Sequence, residues 1–156
     1  MTDFAERKIV TFSLGQRMFG IDMSTLVEIR EWERPAPLPK VAPYIMGVAN
    51  LRGTVIPIID LSDRLGWGAT STHGRSCILV VVLSGKQAGF LVGEVADIIS
   101  INGSQVQPAP EMETSEPGVI AGLIQVPTRG DDDGSQMISL LDLETLGVTR
   151  PLELAA

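Results

Sequence analysis

One order of segments runs through the chain twice. Gly20-Ile-Asp-Met23 followed by Val27-Glu-Ile29 matches Gly89-Phe-Leu-Val92 followed by Ala96-Asp-Ile98. Farther on, Ile58-Ile-Asp-Leu61 with Leu65-Gly66 matches Leu140-Leu-Asp-Leu143 with Leu146-Gly147. Each half reads as hairpin, strand, long loop, strand and Asp-capped short helix. A repeat of this kind predicts two similar small β-units packed together.

The local chemistry of each segment agrees. Lys8–Leu14 and Arg17–Asp22 flank a Gly15-Gln16 turn and predict a hairpin. Asp22 or Ser24 caps a helical turn at 23–27. Val27–Trp32 alternates apolar and polar, as a half-buried strand does. Pro35-Ala-Pro-Leu-Pro39 forms neither helix nor central strand and is an extended connector. Tyr44–Asn50 leads into a turn at Leu51-Arg-Gly53. Thr54–Ile59 is a strongly apolar strand, and Pro57 suggests an edge or a bulge there. Asp60 caps a helix over Leu61–Leu65, stopped by Gly66.

Residues 66–74 are a Gly/Ser/Thr loop and the expected boundary between units at about 8–66 and 75–147 of one domain, with tails at 1–7 and 148–156. Terminal strands can cross between the units. The second half begins with a continuous apolar strand, Arg75–Leu83. It continues through strands at 88–92, 95–101, 119–126 and 136–141, the last running into a helix capped by Asp142. Residues 102–118 are a long polar loop, a common location for function.

Composition narrows the function. The net charge is −7, and no basic run is present to displace counterions from phosphates, so nucleic acid is not an expected partner. The N-terminus lacks the pattern of a signal peptide, and the apolar runs fall short of the ~20 residues that span a bilayer. A cytoplasmic protein without direct membrane insertion is expected. The single cysteine, Cys77, reads as a small apolar strand residue in a reducing compartment.

No catalytic set stands out. His73 is the one histidine and sits in the Gly/Ser/Thr loop, where a solvated side chain is the simple reading. One His and one Cys are too few for a zinc site. Asp131-Asp132-Asp133 lacks the alternating oxygens of a calcium loop and reads as a charged turn guarding a hairpin. The expectation is no metal, no cofactor and no enzyme. What remains is surface. Arg52 lies within an apolar stretch and is either a turn residue paired with an acidic neighbour or a donor held at a groove. Trp32, beside the Pro-rich connector, is either packing or an interface anchor.

Gly47-Val-Ala-Asn-Leu-Arg-Gly53 followed by Val55-Ile-Pro-Ile-Ile-Asp-Leu61 resembles the signature of CheW-like chemotaxis coupling proteins. Phe19-Gly-Ile-Asp22 with Val27–Arg30, Ala88–Ile98 and Pro108-Ala-Pro-Glu111 agree, in order and spacing, from about residue 8 to 147. The resemblance implies a mainly β fold of two five-stranded SH3-like barrels sharing a hydrophobic core. It implies a non-enzymatic adaptor between the cytoplasmic hairpin tip of chemoreceptors and the regulatory domain of a CheA-type histidine kinase. By position, Asn50, Arg52 and Gly53 fall in the receptor-coupling turn, and Leu26 and Glu28 in the receptor-facing groove. Glu111 and Met112 fall in the kinase-facing loop, with Trp32–Leu38 along a second kinase-facing edge. Gln107 stands where a basic residue is common, so a charge pair there can be missing. The alternatives are an adaptor of another chemosensory array, such as one governing surface motility, and a small β-barrel ligand binder or enzyme with its site in 102–118.

Overall fold

The computed structural model describes residues 6–108, 119–127 and 135–146. The first half supplies β1 (Glu6–Leu14), β2 (Arg17–Asp22), β3 (Leu26–Glu31), β4 (Ile45–Leu51), β5 (Thr54–Asp60) and the one-turn helix α1 (Leu61–Arg64). The second supplies β6 (Cys77–Leu83), β7 (Lys86–Val92), β8 (Glu94–Asn102), β9 (Ile120–Pro127) and β10 (Ser135–Leu141), ending in a 3-10 turn, Leu143–Leu146. The helical turn expected at 23–27 is a shorter 3-10 turn, Met23–Thr25. Asp22 caps it by accepting from the Ser24 N–H at 2.9 Å.

Two five-stranded sheets result, ordered β8-β1-β2-β10-β9 and β3-β6-β7-β5-β4. Replacing each strand by its repeat counterpart turns one order into the other. The sheets therefore do not coincide with the halves of the chain: each takes its leading hairpin from the opposite half. Two parallel ladders tie the hairpins in place, Met18–Gly20 against Ile138–Leu140 and Ile58–Asp60 against Gly89–Leu91.

Closed barrels were the expectation, and the strand pairing shows open sheets instead. β8 and β9 do not pair, and neither do β3 and β4. In the first sheet, Ile101 of β8 and Ile124 of β9 meet in one cluster with Ile138. A one-residue bridge pinches each open side. Ala36 and Val48 exchange backbone hydrogen bonds of 2.9 and 2.8 Å, and Gln107 and Leu123 do the same at 2.8 Å each.

The main core lies between the sheets and draws on both. Phe12, Phe19 and Ile21 of the first meet Leu79, Phe90 and Val92 of the second. Truncating a fully buried Phe here would cost about 3–5 kcal/mol.

Pro57 does not mark an edge. β5 is interior, between β7 and β4. Val48 opposes Pro57 but turns both its N–H and its C=O toward Ala36, so this pair exchanges no hydrogen bond and loses nothing to the missing N–H. Pairing with β7 starts one residue later, at Ile58. The Asp60 cap is as expected and stronger. Its buried carboxylate accepts from the Asp63 N–H at 3.4 Å, the Thr70 N–H at 2.7 Å and the Thr70 hydroxyl at 2.6 Å, so it also anchors the 66–74 loop.

Candidate functional site

The β4–β5 turn is a two-residue hairpin in which Arg52 (φ 50°) and Gly53 (φ 88°) both take positive φ. That geometry matches the twist of the flanking strands and suits Gly at the second position. The Asn50 side chain accepts from the Gly53 N–H at 2.8 Å and braces the turn. The brace holds Arg52 in a conformation that costs a non-glycine residue about 1 kcal/mol.

From this turn Arg52 reaches across the open side of the second sheet to β3. Its Nη1 lies 2.8 Å from Glu28 Oε1, with the Arg52 side chain 72% exposed and that of Glu28 23%. Oε1 is shut off from solvent, and the charge of Arg52 compensates it. Of the two sequence readings of Arg52, the structure shows the first: it is a turn arginine paired with an acidic neighbour.

Leu26 behaves differently. In a regular strand, residues 26 and 28 would share a face. A bulge at Val27 breaks the alternation: Leu26 opposes Val81 and Glu28 opposes Val80. Leu26 thus turns toward the inter-sheet core and packs against it, while Glu28 takes the other face. The structure brings Glu28, Asn50, Arg52 and Gly53 together and leaves Leu26 on the opposite side of the strand.

Trp32 follows β3 directly, and its N–H donates to Ser76 O at 3.2 Å. Its side chain is half-buried against the cluster of Leu51, Ile56 and Ile58, so most of its role here is packing. Glu111 and Met112 lie outside the described residues, as does the Asp131–Asp133 turn.

One residue of the site escaped the sequence reading. Arg30 Nη1 lies 3.7 Å from Glu28 Oε2. The signal was present, since 28 and 30 share a face by strand alternation, but nothing in the pattern says that Arg52 converges on the same carboxylate. Val55, on the strand leaving the turn, is 62% exposed and by alternation turns to the face opposite Ile56. A cleft of about 280 Å³ lined by Arg30 and Asn50 opens on the Ile56 face, floored by Ile56, Ile58, Ile78 and Val80. Among the described residues no group of three His, Cys, Asp or Glu side chains is placed to hold a metal ion, and no helix is long and apolar enough to cross a membrane.

The site thus joins a charged pair on a braced hairpin to an apolar cleft. Comparison with known proteins decides what kind of protein carries it. The family model for the CheW-like domain matches residues 8–149. This chain belongs to the CheW-like domain family. It is 32% identical over 141 residues to the chemotaxis protein CheW of Rhizobium meliloti, covering 90% of this chain and 86% of that one. It is 34% identical over 142 residues to the probable chemotaxis protein CheW of Rhizobium etli, covering 90% and 87%. The crystal structure of the scaffolding protein TtCheW from Thermoanaerobacter tengcongensis superimposes with a TM-score of 0.78 at 32% identity, covering 91% of this chain and 88% of that one. Within the CheW-like family, the Asn50–Gly53 turn and the Glu28–Arg52 pair coincide with the motif that prompted the resemblance.

Proposed function

We propose that this chain is a non-enzymatic scaffold that couples chemoreceptors, the methyl-accepting chemotaxis proteins, to a CheA-type histidine kinase in bacterial chemotaxis. The observation that carries the reading is family membership across residues 8–149, in a fold that superimposes on a scaffolding protein. Residues 8–147 act as one domain, working in the cytoplasm at receptor arrays.

The receptor's helical hairpin tip docks beside the β4–β5 turn, a helix-in-groove mode of recognition. Glu28, Asn50, Arg52 and Gly53 form the contact, and Leu26 supports it from the inter-sheet side. The kinase regulatory domain docks through Glu111 and Met112, with the exposed edge of Trp32 contributing. Binding of two partners to one rigid body lets a conformational change in one alter the placement of the other, provided that contacts differ between the two states.

Calorimetry tests the assignment. The protein is titrated with a receptor cytoplasmic fragment and with the regulatory domain of a CheA-type kinase from the same genome. Binding to both is expected, with Arg52→Ala weakening the receptor arm and Met112→Ala the kinase arm. Binding to neither across the cognate set overturns the coupling role.

A further inference from the structure

Glu28 is held by two arginines. Arg52 lies 2.8 Å from one carboxylate oxygen and Arg30 3.7 Å from the other. A single carboxylate cannot saturate two guanidinium groups, each with five N–H donors in a planar fork. Only Nη1 of Arg52 is within 2.8 Å of Glu28, and the Arg52 side chain stays 72% exposed. Both arginine side chains therefore keep solvent-accessible surface beside Glu28, 43% for Arg30 and 72% for Arg52, on a chain whose net charge is −7. Glu31, Glu33 and Arg34 line the adjoining cleft with Arg30, so the charges balance over the wider surface. The surplus is local, and it acts by direct contact and not by a long-range field.

We propose that Arg30 and Arg52 form a two-armed anion clamp over Glu28, and that the receptor segment docking here presents a carboxylate to it. Glu28 is the internal counter-ion that holds both arms near one point. An incoming Asp or Glu meets two guanidinium groups already gathered, a fork that matches carboxylate geometry. The cleft that Arg30 lines, floored by Ile56, Ile58, Ile78 and Val80, gives an apolar neighbour of that acid a place to rest. The docking segment is thus an amphipathic helix with an acidic residue next to an apolar one. This inference rests on the receptor-coupling reading and assigns Arg30 a role in it.

The test is a double-mutant cycle with the full-length protein and the receptor fragment. Arg30→Gln is expected to weaken receptor binding about fivefold, the scale of one exposed charge contact, and Arg30→Lys to recover part of the loss. Arg30→Gln should leave the thermal melt and kinase-domain binding unchanged, since its ion-pair contact is long, 3.7 Å, and the side chain is 43% exposed. Acidic residues of the fragment tip are then replaced by their amides one at a time. One of them should weaken the wild type but not Arg30→Gln. Wild-type affinity in Arg30→Gln, or no acid that couples to it, overturns the clamp. Failure of the wild-type protein to bind the fragment at all overturns the receptor reading instead, so the two failures are distinguishable.

Discussion

Gly47 lies flat against Ala36: a methyl group added to Gly47 would sit 2.1 Å from the Ala36 carbonyl oxygen. The approach follows from the bridge in which Ala36 pairs with neighbouring Val48 and pinches the open side of the second sheet. The clash is with backbone, so no rotamer change relieves it, and φ at Gly47 is +149°. Gly47→Ala should therefore cost several kcal/mol, about 3 or more, by opening the bridge. Gly122 holds the matching place by the Gln107 bridge, where its methyl would meet the Val106 side chain at 2.5 Å and the Gln107 carbonyl at 2.9 Å. Gly122→Ala should cost less, because a side chain can yield. Urea unfolding of both variants checks the order. A Gly47→Ala protein as stable as wild type would mean that the bridge contributes little.

Arg52 sets two small energies against each other. Positive φ costs an arginine about 1 kcal/mol relative to a residue at ease there. The ion pair to Glu28 returns less than about 1 kcal/mol, since the Arg52 side chain is largely exposed. Arg52→Asn puts a residue that tolerates this turn in its place. The expected outcome is stability within about 1 kcal/mol of wild type, while receptor affinity falls about tenfold. Urea melts and calorimetry on the same samples read the two effects separately. Loss of several kcal/mol would show that the pair holds the sheet's edges together.

Much of this fold was legible because its signals are local. Asp22, Asp60 and Asp142 announced their turns, and apolar, β-branched runs announced most strands. The pairing was not legible. β2 and β10 lie more than a hundred residues apart in sequence yet run side by side, and no local propensity encodes that neighbour. The choice is made by which faces can be buried together, a property of the assembled sheets. The Val27 bulge was hidden for the same reason. Leu26, Glu28 and Arg30 look like one face until the register with β6 is known. The turn motif at residues 50–53 was readable because its residues are contiguous. Arg30 was not, because its meaning depends on Arg52 reaching across from another strand.

Cys77 should be chemically quiet. It is buried at the start of β6. Burial pushes its thiol above the usual range and the charge of Glu94 adds to that, outweighing the hydrogen bond with the Val95 backbone. The thiolate is the reactive form, so labelling by a disulfide reagent at pH 8 should be slow in the folded protein and fast in denaturant. The labelling rate should track local or global opening and rise in Phe90→Ala, whose side chain is fully buried in the same core. Fast labelling of the native protein would refute the burial argument.

Asp22 gives the fold a defined acid sensitivity. Burial alone would raise its pKa. The hydrogen bonds from Ser24, together with the hydrogen bond and charge of Arg7, outweigh this and hold the carboxyl below the usual carboxylate range. Arg7 Nε and Nη2 each lie 3.1 Å from Oδ2, and the Ser24 N–H reaches Oδ1 at 2.9 Å. One carboxylate thus joins β1, the end of β2 and the 3-10 turn that aims the chain into β3. Because the folded pKa lies below the unfolded one, this stabilisation is fully present above the unfolded value. It is lost as pH falls through the carboxylate range toward the folded value. Arg7 stays charged throughout. The pair is about one-third exposed, so the contribution is below about 1 kcal/mol. Asp22→Asn should lower stability at pH 7 by about that amount and flatten the stability profile below pH 5 relative to wild type. Urea unfolding of the two proteins between pH 3 and 7 measures the difference. Parallel profiles would show that another carboxylate governs the acid response.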